Sequence, residues 1–254
     1  GSLSAIEDRA PWLDTCAEQK ARWGKLREER CNAAPLDDPV WGRPVLTQPS
    51  AIGIIDAFAR SVGAVKYFDA GDVQANGFQI VADDTPDQTF TDTGASYMGF
   101  AASALLASAI AEEPRYCVAL TGDGSFLMNP QILIDGIAHG VRGVVVVLDN
   151  RRMAAISSLQ IDQYGQDFAT HDSVPVDYVA LAGAIRGVNA LFGGFYGASL
   201  KAALSKAHAH HGLSLIHVPV YWGSDPLGGM GAYGRWNVGD WCDDVQQRYH
   251  SQLL

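Results

Sequence analysis

The run Gly143-Val144-Val145-Val146-Val147-Leu148 constrains this chain more than any other stretch. Consecutive β-branched residues are stiff at χ1 and suit a pleated surface. A strand that is apolar at every position must bury both of its faces, which is the habit of parallel sheets. The surrounding pattern agrees. Further strands are expected at Ala64–Phe68, Tyr116–Leu120 and Ser214–Val220. Between them fall helices at Ser50–Ser61, around Gly71–Phe78, and at Pro130–His139, Asp177–Arg186 and Ala198–His210. Asn129 is expected to cap the helix that Pro130 opens. Strands alternating with helices imply an α/β domain, an open parallel sheet with helices on both faces. In such sheets ligands bind outside the carboxyl ends of the strands.

An N-terminal helical arm precedes this core. Residues 4–30 are charged and helix-like, and Trp12, Leu13, Trp23 and Leu26 are spaced to form one apolar stripe. A Pro- and Asp-rich loop is expected from Asn32 to Pro49. We therefore divide the chain into an arm or linker, 1–48, and a compact domain, 49–254, with Gly1-Ser2 read as a cloning scar. The net charge of −10 argues against a nucleic-acid partner, since phosphate binding needs clustered Lys and Arg. The longest apolar run, Phe100–Ala111, is too short for the ~20 residues that span a bilayer, so no membrane role is expected. Cys16, Cys31, Cys117 and Cys242 show no paired spacing, and a cytoplasmic location is the simplest expectation.

The chemistry concentrates at Thr121-Gly122-Asp123-Gly124-Ser125, with 25 residues separating Gly124 from Asn150. Each piece follows an expected strand, so two adjacent strand ends would set the Asp123 carboxylate and the Asn150 amide oxygen on one rim. Mg²⁺ takes about six oxygens and is commonly shared with phosphates. Asp123, Asn150 and a backbone carbonyl just beyond would be the protein's share. Gly122 and Gly124 let the backbone approach a phosphate, and amides near Ser125 can donate to its oxygens. Taken alone, Gly-Asp-Gly is a common tight turn; the spacing and strand context favour the metal reading.

With these pieces in place, the chain resembles the diphosphate-binding domain of thiamine diphosphate (ThDP) enzymes of the acetolactate synthase and pyruvate decarboxylase superfamily. The resemblance covers about residues 48–240. It is closest to the trihydroxycyclohexanedione hydrolases, which cleave a cyclic 1,2-diketone, through GDGSFLMNPQ, LDNRRMAAISSLQ, GASYMGF and the late GRWNVGDW. The resemblance implies ThDP and Mg²⁺ as cofactors, with Asp123, Asn150 and the carbonyl of Arg152 on the metal. Ser125, Arg152, Met153 and Ala154 would line the diphosphate. Met98 would wedge between the two rings of ThDP and bend it, with the Ser96 carbonyl holding the pyrimidine amino group. Plain core packing is the other reading of Met98.

Three departures stand out. The family's first Asn is Asp149 here, an extra acid expected near the metal. Asp72, in a segment that touches the diphosphate in relatives, would repel a phosphate unless backbone amides make the contact or its side chain turns away as a helix cap. The catalytic Glu of pyruvate decarboxylases, six residues beyond the metal-binding Asn, is Ile156.

The resemblance also implies a second module, a pyrimidine-binding domain that supplies a Glu to the pyrimidine ring. This chain has six glutamates, of which Glu7, Glu18, Glu28 and Glu29 lie in the arm and Glu112 and Glu113 before Pro114. The expectation is therefore a split or excised half of an enzyme, active only with a pyrimidine-domain subunit in an α2β2 heterotetramer. It would make or break a C–C bond beside a carbonyl in a 2-oxo acid, acyloin or 1,2-diketone. The alternative is a non-catalytic ThDP-binding module, a sensor or assembly platform. Elsewhere, His208, His210 and His211 are expected at a solvent-facing helix end, Phe192–Gly197 as a flexible loop, and the aromatic-rich Tyr221–Trp241 as a lid or interface.

Overall fold

The computed structural model of the chain describes residues 9–92, 94–171, 174–223 and 226. Helix α1 (Ala10–Cys31) leads to a hairpin of β1 (Leu36–Asp38) and β2 (Arg43–Val45). Helix α2 (Gln48–Ser61), β3 (Val65–Phe68), α3 (Asp72–Ile80) and β4 (Thr89–Thr91) follow. Next come α4 (Phe100–Ala104), α5 (Ala107–Ile110), β5 (Cys117–Gly122) and the single turn α6 (Asp123–Phe126). The remainder runs α7 (Ile132–Ala138), β6 (Gly143–Asp149), α8 (Ala154–Tyr164), α9 (Tyr178–Gly183), β7 (Asn189–Phe192), α10 (Gly197–Ala209) and β8 (Leu213–Pro219).

Strands β3 to β8 form one six-stranded sheet, ordered β4-β3-β5-β6-β8-β7, with every neighbouring pair parallel. This is the expected α/β architecture. Alternation along the strands feeds two cores. Val118, Leu120, Val144, Val146, Leu148, Ile216 and Val218 pack under α2, α3 and α10. Cys117, Ala119, Val145, Val147, Leu213 and Leu215 pack under α4, α7 and α9. All seven residues of β6 are buried, as its β-branched run requires. The chain lays β4 outside β3 and then crosses back to place β5 on the other side. The carboxyl ends of β3 and β5 therefore flank a reversal of direction, where open α/β sheets leave a crevice.

Local signals account for several boundaries. Thr47 Oγ1 accepts from the Ser50 amide at 3.2 Å and caps α2, whose first turn includes Pro49. Asp177 caps α9 through the Ala180 amide at 2.9 Å. Asn129 does not cap α7 as expected. That helix starts later, at Ile132, and the Asn129 amide donates instead to Ser103 Oγ at 2.6 Å. Sequence patterning did not anticipate β4, β7, α4, α5 or α8. Part of the expected loop at Asn32–Pro49 is the β1–β2 hairpin, because Asp38 Oδ1 accepts from the Val40 and Trp41 amides at 2.8 and 3.0 Å and folds the chain back. Phe192, expected in a flexible loop, ends β7.

The arm divides in two. Only the end of α1 docks: Arg30 is buried, with its guanidinium on Gln79 and Asn76. Trp12, Leu13 and Trp23 of the expected stripe remain 66%, 61% and 40% exposed, since they precede the point where α1 meets α2 and α3. By contrast Val45 and Leu46 are buried, and Leu46 pairs with Val220 beyond the end of β8. His208, expected to face solvent, is partly covered by the rings of Tyr116 and Phe58. One ion cluster crosses the first core: Lys66 on β3, 1% exposed, meets Asp56 of α2 and Asp83. No helix among the described residues is long and apolar enough to cross a membrane. Cys16, Cys31 and Cys117 are free thiols; Cys242 and nearly all of Tyr221–Trp241 beyond Gly223 lie outside the described residues.

Candidate functional site

The carboxyl ends of β3, β5 and β6 open onto a cavity of about 480 Å³. Asp72, Ser96, Met98, Gly122, Asp123, Gly124, Ser125, Asn150, Arg152, Met153 and Ala154 all line it. Segments distant in the chain meet there because β5 and β6 are neighbours in register, Gly122 opposite Leu148. Asp123 and Asn150 thus leave adjacent strand ends, 3% and 7% exposed. Ile156 and Leu159 of α8 close another side with apolar surface.

The turn after β6 is tightly determined. Arg151 adopts a left-handed φ of 59°, which an L-residue holds only when its surroundings impose it. Here Asp149 Oδ1 accepts from the Arg151 amide at 3.0 Å, and Asn150 Oδ1 accepts from the Arg152 amide at 3.3 Å. The Met153 amide donates to the Thr170 carbonyl at 2.7 Å. Asp149, the extra acid expected near the metal, sits beside Asn150 with its side chain turned to β8. It is fully buried, is not among the cavity-lining residues, and its Oδ2 lies 2.8 Å from His217 Nε2 on β8.

The donor set suits a hard cation and a diphosphate. Asp123, Asn150 and Arg152 all line the cavity, and between them they carry a carboxylate, an amide oxygen and a backbone carbonyl, the oxygen ligands that Mg²⁺ takes. Gly124 is the cradle. A Cβ built there would project between Met98 Cε at 3.7 Å and Met153 Cγ at 3.9 Å, so any side chain would occupy the space next to both methionines. Met98 is 37% exposed at this cavity rather than sealed in a core. Gly71, with φ 78°, turns the chain into α3 and places Asp72 in its first turn, where a carboxylate suits the helix dipole.

Several supporting residues were not visible in the sequence. Asp69, fully buried at the end of β3, ties three strand-end segments together. Its Oδ1 accepts from the Ala70 and Gly99 amides at 3.0 and 2.7 Å, and Oδ2 lies 2.8 Å from Thr121 Oγ1. Burial raises its pKa, with the Thr121 and backbone hydrogen bonds pulling against that rise. Gln74 links the same loops, donating to Thr91 Oγ1 at 2.6 Å and accepting from Ser96 Oγ at 3.1 Å. Ser96 itself is left-handed, φ 55°. The Arg152 guanidinium turns to Ser157 Oγ at 2.7 Å and the Trp222 carbonyl at 3.0 Å. Asp167, bonded by Ser157 and His171, is held below the usual carboxylate range by those two hydrogen bonds. The links from Asp69 to Gly99 and Thr121, from Gln74 to Thr91 and Ser96, and from Arg152 to Trp222 have no local signature, because each joins segments distant in the chain.

Comparison with known proteins agrees with this geometry. The family described as "Thiamine pyrophosphate enzyme, C-terminal TPP binding domain" matches residues 69–218, more than half of the chain, and thiamine pyrophosphate is another name for ThDP. A 3D-(3,5/4)-trihydroxycyclohexane-1,2-dione hydrolase of Shouchella clausii is 32% identical over 150 residues, covering 53% of this chain and 22% of that protein. The acetolactate synthase isozyme 1 large subunit of Escherichia coli is 27% identical over 157 residues, 59% of this chain and 26% of that protein. The chain thus spans about a quarter of the length of these curated relatives. Benzoylformate decarboxylase from Polynucleobacter necessarius shares the fold, with a TM-score of 0.62 and 22% identity over 70% of this chain and 33% of that one. The match from the end of β3 through β8 and the strand-end cavity lead to one conclusion: this chain belongs to the thiamine pyrophosphate enzyme family, through its C-terminal TPP-binding domain.

Proposed function

We propose that this chain is the diphosphate-binding part of a ThDP- and Mg²⁺-dependent enzyme that makes or breaks a C–C bond next to a carbonyl. The observation that carries the reading is that Asp123, Asn150 and Arg152 line one cavity that also exposes Met98. Asp123, Asn150 and the Arg152 carbonyl would hold the metal, and the backbone around Gly124 and Ser125 would face the diphosphate. When bound, ThDP supplies a carbon acid at thiazolium C2 that adds to carbonyl carbons and then acts as an electron sink. Met98 would set the angle between its two rings, and the apolar wall of Ile156 and Leu159 would exclude water from the reacting side. A module that only held a diphosphate would have no use for a bulky side chain in Met98's place, which favours an enzyme over a sensor.

The acid that activates the pyrimidine would come from a partner, a pyrimidine-binding module, in an α2β2 assembly. What supports this is where the described glutamates lie: Glu18, Glu28 and Glu29 on α1, and Glu112 and Glu113 exposed before Pro114, all outside the cavity lining. Substrates would be 2-oxo acids, acyloins or 1,2-diketones. The test is proton exchange at C2 of ThDP, followed by NMR, together with turnover of a 2-oxo acid and diketone panel. The isolated chain should exchange at the solution rate, and adding the pyrimidine-domain partner should accelerate exchange by orders of magnitude. Turnover by the purified chain alone would overturn the partner requirement.

A further inference from the structure

The β1–β2 hairpin reaches the metal-binding turn by two routes, although Leu36–Val45 is far from that turn in sequence and lines none of the cavity. The first passes through a single peptide unit on each side of Trp222. Asp38, 3% exposed, accepts the Trp222 amide on Oδ2 at 2.6 Å, while the Trp222 carbonyl accepts from the Arg152 guanidinium at 3.0 Å. That guanidinium also lies 5.1 Å above the Trp222 ring, a cation–π distance. The second route passes through Trp41. Its Nε1 donates to the Val220 carbonyl at 3.2 Å, and its ring stands 6.1 Å from the His217 ring. Tyr178 and Phe192 enclose His217 from other sides, leaving Nε2 directed at Asp149, whose second oxygen fixes the left-handed Arg151.

We propose that the hairpin is a clasp that positions the Asn150–Met153 turn for metal binding, with Asp38, Trp41 and His217 as its positioning residues. The physical need is clear. The turn carries a strained residue and must aim an amide oxygen and a carbonyl at one point, and partners behind metal ligands commonly set affinity by about 10–100-fold. The opposite flank is fastened by Met153 to Thr170 and by pairing of Arg152 with His171; the clasp secures the flank facing β8. The acid-for-amide exchange at position 149 then has a purpose, because a carboxylate can accept from both Arg151 and His217.

This inference rests on the metal-binding reading of the turn, but its test does not. Amide hydrogen exchange, read by mass spectrometry on the full chain without cofactor, compares wild type with Asp38→Asn and Trp41→Phe. Asn keeps one oxygen for the Val40 and Trp41 amides and presents an NH2 group to the Trp222 amide, so it cuts the first route while preserving the hairpin. Phe keeps an aromatic ring near His217 and Phe195 while it removes the Val220 bond and part of the indole, so at least one variant should fold. Exchange at residues 149–153 and 220–222 should rise about tenfold in Asp38→Asn, with the β5 and β6 interiors unchanged. Wild-type exchange at 149–153 in both variants, or uniform acceleration across the sheet, would overturn the clasp. With Mg²⁺ and ThDP as probes on the partner-assembled protein, Asp38→Asn should then bind about tenfold more weakly. Failure of wild type to bind counts against the cofactor reading alone and leaves the exchange result standing.

Discussion

The body of the sheet and its carboxyl rim use opposite chemistry. In the body, β5, β6 and β8 present apolar side chains to both cores, and the described ion cluster at Lys66 is closed by Asp56 and Asp83. At the rim, Asp69, Asp123, Asp149 and Asn150 are all buried, and the hydrogen bonds that Asp69, Asp149 and Asn150 accept shape loops rather than fill space. Burying polar groups so densely is costly unless each is bonded. The body therefore supplies the stability, and the rim spends part of it holding oxygen atoms in place. If that division is right, substitutions in one region should leave the other's property intact.

The sharpest break is at Asp123. Asp123→Ala should weaken Mg²⁺-dependent ThDP binding more than about 100-fold, beyond the range of outer-shell changes, while thermal unfolding moves little. Calorimetric titration of the partner-assembled protein, beside a melting curve, checks both halves. Equal ThDP affinity in variant and wild type would sink the metal assignment.

Lys66→Ala should do the reverse. Removing the cation leaves the buried Asp56 carboxylate without its counter-ion, while Asp83 can turn to water, a loss of about 3 kcal/mol. Urea denaturation reads the loss, and the fraction still folded should bind ThDP with wild-type affinity. A stability change under about 1 kcal/mol would show that water enters this cluster freely.

Met98→Ala tests the rim more finely. The diphosphate grip remains, but the ring angle relaxes, and a misplacement of about 1 Å costs on the order of 100-fold in rate. A fall in kcat of about 10–100-fold, with ThDP affinity changed less, is the expected split. Affinity collapsing while kcat at saturating ThDP holds would make Met98 a packing residue.

Asp69→Asn should have the smallest effect and carries a sign. Because burial raises this carboxyl's pKa in the folded chain, the stability it contributes is full below the ordinary carboxylate value near ~4 and is lost as pH rises through the folded pKa. Asn makes similar hydrogen bonds without titrating. The variant should match wild type within about 1 kcal/mol at pH 4 and gain on it towards pH 7, as read from urea midpoints. Parallel curves across that range would mean that the three hydrogen bonds offset the burial.

The sequence by itself determined the body. The Val144–Val147 run needs two covered faces, and the helices expected between the strands supply the cover. It also determined which residues would meet at the cavity, because Gly122–Ser125 and Asn150–Ala154 each follow a strand and adjacent parallel strands bring their ends together. Only the tertiary structure decided the rest. Edge strands β4 and β7 are short and only partly buried, so they carry no strong apolar period. Docking of the hairpin depends on Asp38 meeting Trp222, a pair 184 residues apart, and the role of Asp149 depends on His217, 68 residues away. Contacts at such separation leave no periodic trace in a sequence. They are chosen when the sheet closes and buried acids such as Asp38 and Asp149 find the donors that their burial demands.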